Sequence, residues 1–278
     1  MTQKKTRDIH DTSYNGEIKK GTRIHEAPPD LYDPNALRLG RRESEPHSAE
    51  VTYIYDVLTT NFPEDRTMRD LHHYFLATRG ALKGEKIDIQ FDISFFRDLE
   101  ISHTLSSYKA SKYNGRIPDL AINILSKSTW RNDISENVDK CKDLGIPVYV
   151  VFSPYQVASR FYRPPFLRVY ILQDVNTYEQ KELRDITLEE EGEINKENIV
   201  ELQSKLPFSL GIMRLNQKHE EDQSLFRLIL INPSTLDIFP TEIEKKLKEK
   251  DEKLKEKDQK LKKLETEIKR LKNQIEQK

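Results

Sequence analysis

The sequence predicts an α/β fold, in which a mixed β-sheet is flanked by helices, followed by one long C-terminal coiled-coil helix. Residues 86–96 alternate apolar and polar side chains over the length of one strand. Residues 119–152 have the pattern of a strand, a helix and a strand with short joins, which is typical of a βαβ unit. From residue 243 onward, apolar residues recur in heptads.

The composition suits one sizeable domain with an extended, solvated segment. The chain has 278 residues, of which 36% are hydrophobic and 33% are charged. This charged fraction is high for a globular domain, so we expect part of it in an extended segment. The formal net charge is -1, so the whole chain has no basic bias of the kind that indicates nucleic-acid binding.

Cysteine content and hydropathy predict a cytoplasmic protein. Cys141 is the single cysteine, so a disulfide framework within one chain is excluded and a reducing compartment is favoured. The sequence has no apolar run long enough to span a membrane. Its first residues lack the apolar core of a secretion signal. We therefore expect a cytoplasmic location and no membrane partner.

Three regions follow from the pattern along the chain. Residues 1–46 are polar and rich in turn formers, which predicts a flexible arm. Residues 47–240 form the domain, and residues 242–278 form the coiled coil. In the domain we expect helices over 49–61 and 134–144, the second ended by Gly145 and Pro147. Residues 180–198 are expected to form a loop, and strands are expected over 73–78, 86–96, 119–125, 148–152, 166–172 and 225–231.

The heptads of the C-terminal region predict a parallel homodimer. Position a is apolar in five successive heptads, at Leu247, Leu254, Leu261, Ile268 and Ile275. Position d holds lysine at residues 250 and 257, which leaves a solvated single helix as the alternative. In a parallel pair, each g residue meets an e residue of opposite charge on the partner. These pairs are Lys246 with Asp251, Lys253 with Asp258, Lys260 with Glu265, and Glu267 with Lys272.

The two regions differ in charge. Residues 242–278 carry 14 lysines and arginines against 10 acidic residues, a net charge of +4. The rest of the chain therefore carries -5. A domain of this charge would bind nucleic acid only through a local basic patch.

The most informative motif is PDLAINILSKST at residues 118–129, followed by NVDKCKDLGIPVYVVFSP at residues 137–154. These segments, with LPFSLGI at 206–212 and IFPT at 238–241, resemble the Uma-type restriction endonuclease family, a branch of the PD-(D/E)XK nucleases. The resemblance covers the chain from about residue 49 to the C-terminus. It implies a restriction-endonuclease-like domain and magnesium-dependent hydrolysis of phosphodiester bonds in DNA.

The resemblance assigns site residues by position. Asp92 would be the first metal-binding carboxylate, and Asp119 would be the aspartate of the Pro-Asp pair. Asn123 occupies the position of the second metal ligand, where the family has glutamate. Asn137 occupies the position of the family's lysine. Carboxylates that hold a hard cation, with a lysine that stabilises charge, are the groups such hydrolysis needs.

The two asparagines separate this chain from the family pattern. An asparagine supplies a neutral carbonyl ligand but removes a negative charge, and it cannot replace an ammonium group. Lys140, one helical turn after Asn137, and Asp88, four residues before Asp92, are candidate substitutes.

Several alternatives remain open from the sequence. Asp88 and Asp92 also fit the polar face of a half-exposed strand. Asp119 also fits a turn or strand entry. The role of Asn123 depends on the resemblance alone. At the level of function, the alternative is a catalytically inactive dimer that binds DNA or serves as a protein scaffold, and a third reading is a coiled-coil adaptor whose domain contacts protein.

Overall fold

The computed structural model describes residues 44–276, except 103, 158–159, 176, 190–191, 203 and 220–222. Most of the expected N-terminal arm lies outside these residues. Helix α1 spans Glu45–Asn61, so it begins before residue 49, and Pro46 stands in its first turn, where a missing backbone N–H costs nothing. None of the helices in the described ranges is long and apolar enough to cross a membrane.

A seven-stranded mixed sheet forms the centre of the domain. Its strand order is β3-β1-β2-β4-β5-β6-β7. The β4–β5 and β1–β3 pairs are parallel and the others are antiparallel, which confirms the predicted mixed α/β class. The strands are β1 (Arg66–Leu76), β2 (Lys86–Phe96), β3 (Tyr108–Lys109), β4 (Leu120–Ile124), β5 (Val148–Ser153), β6 (Phe166–Leu172) and β7 (Tyr178–Leu183).

A second sheet of three strands follows in the chain. It consists of β8 (Leu188–Glu189), β9 (Ser209–Lys218) and β10 (Ser224–Ile231), in the order β10-β9-β8. Side chains of β9 and β10 share one apolar cluster with α1 and with one face of the large sheet. The opposite face of the large sheet packs against the helices between β4 and β5. The sheet is therefore covered on both sides, as a βαβ unit requires.

Two short helices, rather than one, connect β4 to β5. They are α2 (Trp130–Asp133) and α3 (Glu136–Leu144). Gly145 ends α3 as predicted, with a positive φ of 84° that an L side chain rarely adopts, and its N–H donates to the carbonyl of Cys141. Cys141 itself is buried in the core, where burial raises its pKa well above the usual value.

The expectation of a loop over 180–198 is wrong at its beginning. Residues up to Leu183 belong to edge strand β7, which pairs with β6. Glu182 lies opposite Arg168 in the ladder, and the carboxylate and guanidinium are 2.6 Å apart. Cross-strand ion pairs of this kind allow a polar sequence to form an edge strand without an apolar face.

The last element is α4, a 35-residue helix spanning Glu242–Glu276. A reciprocal capping box begins it: Thr241 N–H donates to Oε2 of Glu244, and Glu244 N–H donates to Oγ1 of Thr241. Two contacts fix its start to α1. Asn61 Nδ2 donates to the carbonyl of Pro240, and Glu242 N–H donates to Oδ1 of Asp56.

Candidate functional site

The site forms where β2 separates from β4. These strands pair only through residues 93–95 of β2, and the earlier part of β2 pairs with β1 alone. Ile87, Ile89 and Phe91 pack on the α3 side of the sheet, whereas Ile93 and Phe95 pack on the α1 side. The inward face of β2 therefore changes at residue 92, which breaks the alternation expected from the sequence.

Asp92 is held at this fork by two contacts to the same carboxylate oxygen. The N–H of Ile124 donates to Asp92 Oδ2 over 2.6 Å. Nε2 of His47, a buried residue in the first turn of α1, lies 3.3 Å from the same oxygen. Asp88 does not join Asp92, because it is half-exposed and its Oδ1 lies 2.9 Å from Nδ1 of His72.

Asp133 is the centre of the site. Asn123 Nδ2 donates to Asp133 Oδ1 over 2.7 Å, and Asn137 Nδ2 donates to the same oxygen over 3.0 Å. Tyr149 Oη donates to the backbone carbonyl of Asp133. Burial raises the pKa of Asp133 to about 6, with a further increase from the charge of Asp92, while the amide hydrogen bonds lower it. The three residues Asn123, Asp133 and Asn137 are called the Asp133 cluster below.

One polar atom of the Asp133 cluster is unsatisfied. Asn123 is only 4% exposed, and its Oδ1 is buried with no hydrogen-bond partner in the described part of the chain. A buried acceptor of this kind destabilises the folded state by roughly 1–3 kcal/mol unless something binds it. The amide therefore faces Asp133 with its nitrogen and leaves its oxygen available.

These residues do not fit a catalytic divalent-cation centre. The oxygen donors at the fork are one carboxylate, from Asp92, and one neutral amide oxygen, from Asn123. The carboxylate already accepts from a backbone N–H and lies beside His47. Across the described residues, no group of three or more His, Cys, Asp and Glu side chains is placed to hold a metal ion. Cation sites for hydrolysis need more negative charge than this set supplies.

Two of the residues predicted from sequence lie apart from the Asp133 cluster. Asp119 precedes β4, where its Oδ2 accepts from the N–H of Arg97 and lies 3.4 Å from the guanidinium of Arg116. Four residues of strand separate Asp119 from Asn123, a distance of roughly 13 Å. Lys140 extends its ammonium group to Glu136, at 2.6 Å. The structure thus brings together Asp92, Asn123 and Asn137, and it leaves Asp119 and Lys140 in ion pairs.

Sequence reasoning missed Asp133 and His47. Asp133 lies four residues before Asn137, the spacing at which side chains meet on a helix. That signal was present, but a helix expected to start at residue 134 left Asp133 outside it. His47 has no comparable signal, because it approaches Asp92 only through the packing of α1.

Comparisons with known proteins add one partial likeness. No protein-family model matches the chain, and the comparison with curated proteins gives no match. Among solved structures, the chain is similar to the crystal structure of a "putative nuclease belonging to DUF820" from Anabaena variabilis. The two chains share 18% sequence identity with a TM-score of 0.37, over 52% of this chain and 70% of the other. The interpretation of the site therefore depends on its own geometry.

Proposed function

We propose that this chain is a nuclease-fold protein that binds DNA near the Asp133 cluster without hydrolysing it. The fold part of the proposal is supported by the mixed sheet with its β4–α2–α3–β5 unit and by the position of Asp92 at the strand fork. Ligands of open α/β sheets bind at the carboxyl ends of the strands, which is where β4 and β5 bring Asn123.

The observation that carries the loss of hydrolysis is the pair of amide hydrogen bonds to Asp133. A glutamate at position 123 would place a second negative charge beside Asp92, and a lysine at position 137 would place a cation beside Asp133. The asparagines supply neither charge and instead use both nitrogens on one carboxylate oxygen. Positioned charges are usually the largest contribution to catalysis in such a site.

Residual magnesium-dependent hydrolysis is the second candidate function. The observation that favours it is the buried, unpartnered Oδ1 of Asn123, which lies in the strand next to Asp92. In that case Asp92 and Asn123 would hold the cation.

A nicking assay with plasmid DNA tests the two candidates. Purified wild-type protein is incubated with Mg²⁺ or Mn²⁺, and we expect no nicked product. The double variant Asn123→Glu/Asn137→Lys is expected to gain metal-dependent nicking, and adding Asp92→Ala to it removes that activity. Nicking by the wild type that Asp92→Ala abolishes would establish the second candidate instead.

DNA binding is measured separately in the presence of EDTA. We expect the wild type and Asp92→Ala to retard a labelled DNA fragment equally. Failure of the folded wild-type protein to bind any DNA would contradict the proposal and favour a protein scaffold.

We also propose that α4 joins two copies of the chain in a parallel coiled coil. Six apolar residues at a and d positions are each more than half exposed: Ile243, Leu247, Leu254, Leu261, Leu264 and Ile268. The residues at g and e positions carry opposite charges in the parallel arrangement, and this complementarity selects a second copy over an unrelated partner.

Sedimentation equilibrium tests this assembly. Leu254→Glu/Leu261→Glu puts two charges at a positions and is expected to give a monomer. Gln259→Glu/Thr266→Glu adds the same charge at outward f positions and is expected to stay dimeric. Leu247→Cys should form an interchain disulfide on oxidation only if the helices are parallel, since an antiparallel pair would separate the two cysteines. A monomeric wild type would overturn the assembly.

A further inference from the structure

Beside the Asp133 cluster, aromatic rings and arginines form a continuous surface. The guanidinium of Arg131 lies over the Trp130 ring, 4.8 Å from its centroid. The Trp130 and Tyr162 rings are 5.6 Å apart, and the guanidinium of Arg168 lies 5.5 Å from the Tyr162 ring. We call these residues, with Phe161 and Arg163 in the same loop as Tyr162, the arginine–aromatic surface.

The sheet register places this surface next to the site. Asn123 lies opposite Val151, and Val151 lies opposite Arg168. Residues opposite each other in a ladder share one face, so Arg168 stands about 10 Å, two strand spacings, from Asn123 on the same side of the sheet. Helix α2 makes a second connection, because it begins at Trp130 and ends at Asp133.

The charges of this surface divide into bound and available guanidinium groups. Arg168 and Arg184 both pair with Glu182. Arg131 and Arg163 are exposed, and neither forms a hydrogen bond or an ion pair with the described residues. The bound pair keeps the rings in position, with Arg184 stacked on the neighbouring Phe166 ring, while the other two arginines are free to contact an anion.

The aromatic part offers an open ring at its edge. Phe161 is 67% exposed, an unusual position for a phenylalanine. Its backbone is held, since Arg184 Nη2 donates to the Phe161 carbonyl over 2.5 Å. A fixed, exposed ring between guanidinium groups has the two elements by which proteins hold single strands, namely a stacking platform and a positive contact to the backbone.

We propose that the arginine–aromatic surface binds single-stranded nucleic acid, with Arg131 and Arg163 on phosphate groups and a base stacked on Phe161. The inference rests on the proposed function in that it takes nucleic acid as the ligand of this face. A single strand fits better than a duplex, because only an unpaired base exposes its whole face to a ring. DNA and RNA share this chemistry, and the measurement separates them.

Fluorescence anisotropy with labelled oligothymidine, oligouridine and a DNA duplex tests the proposal, using the full chain in EDTA. Phe161→Ala is expected to weaken binding of the preferred single strand roughly 5- to 150-fold, as for one stacked base. Phe161→Tyr should keep the affinity. Tyr74→Ala, which removes an exposed ring from β1 at the other end of the sheet, is the matched control and should change nothing.

The arginines are tested by the salt dependence of binding. Each of Arg131→Ala and Arg163→Ala should reduce the slope of log affinity against log salt by about 0.7, the value for one phosphate contact on a single strand. Arg214→Ala is the matched control, because Arg214 also lies over a ring, Phe226, but belongs to β9 of the small sheet. An oligonucleotide with abasic positions should bind wild type and Phe161→Ala equally.

Each outcome has a distinct meaning. If the wild type binds DNA but the Phe161 and arginine variants bind as tightly, the arginine–aromatic surface is not the binding site and the proposed function stands. Preference for the duplex over both single strands would also overturn the inference alone. If the folded wild type binds no nucleic acid, both proposals fail. Circular dichroism confirms that each variant is folded.

Discussion

The side-chain amide of Asn123 donates a 2.7 Å hydrogen bond to Oδ1 of Asp133, and this contact organises the candidate site. It fixes which atom of the amide faces inward and leaves Oδ1 of Asn123 without a partner in the described residues. It also joins β4 to the end of α2, so the strand and the short helix share one buried carboxyl group. The protonation of that carboxyl group should therefore affect stability.

Asp133 is expected to make stability depend on pH below neutrality. Its pKa is about 6 in the folded chain, above its ordinary value of 3.8, so the folded state binds the proton more tightly. The contribution is present at low pH and is lost as pH rises through 6, by at most about 1.4 kcal/mol per pH unit. Asp133→Asn should remove it, so the free energy of unfolding of the wild type should fall relative to the variant between pH 4 and 7. Urea denaturation at several pH values measures this, and a constant difference would contradict it.

Glu50 should produce a second dependence at higher pH. It is buried on α1, where burial raises its pKa to about 8, against the opposing influence of Arg227 and of the Leu228 N–H that donates to it. The folded state again holds the proton more tightly, so stability should fall as pH rises from about 5 to 8. Glu50→Gln keeps an acceptor for Leu228 and should flatten the curve between pH 6.5 and 8. Glu45→Gln, at an exposed position of the same helix, should leave the slope unchanged.

Two glycines of the β1–β2 turn separate backbone strain from steric conflict. Gly80 and Gly84 both have positive φ, 69° and 89°. An added Cβ at Gly84 meets nothing within 4 Å, whereas one at Gly80 would lie 2.0 Å from Oδ1 of Asp143. We expect Gly84→Ala to cost about 1–2 kcal/mol from backbone strain.

Gly80→Ala should cost more than Gly84→Ala. Asp143 is buried and accepts from the N–H of Leu82, so moving it breaks that hydrogen bond as well, for a further loss of about 1–3 kcal/mol. Denaturation midpoints of the two variants measure the difference. Equal midpoints would show that Asp143 adjusts without loss.

The capping box of α4 is expected to hold the first turn of the helix. Thr241→Ala removes the side-chain oxygen that accepts from Glu244 N–H, which should destabilise this turn by about 1 kcal/mol. Hydrogen–deuterium exchange of the first-turn amides should therefore become faster. Thr266→Ala removes a threonine from the middle of the same helix, where alanine has the higher helix propensity, and should not speed exchange. Equal exchange in the two variants would argue against the cap.

The sequence predicted the elements whose pattern is set by local burial. Strand β2 and strand β6 begin and end as expected, because alternation over 86–96 and a nearly continuous apolar run over 166–172 have few other solutions. Gly145 ended its helix as expected, because its positive φ is a local requirement. The polar edge strand β7 was missed, since its stability comes from the partner strand and from Arg168 rather than from its own residues.

The candidate site was predicted only in part, for a related reason. Asn123 and Asn137 could be placed by motif spacing, and they do meet. Their common partner, Asp133, depends on a helix boundary, and the contact of His47 with Asp92 depends on the packing of α1. The change of face at Asp92 could not be read from an alternating sequence either, because it arises where β2 leaves β4.

The fixed start of α4 makes the helix a spacer of defined length and direction. With 35 residues it extends about 52 Å, more than the width of a small domain. Its described side chains are exposed from Glu242 onward, so the helix projects into solvent from the point where Asp56 and Asn61 hold its beginning. Whatever attaches to the far end is kept at that reach from the domain, and turning the helix turns the domain with it.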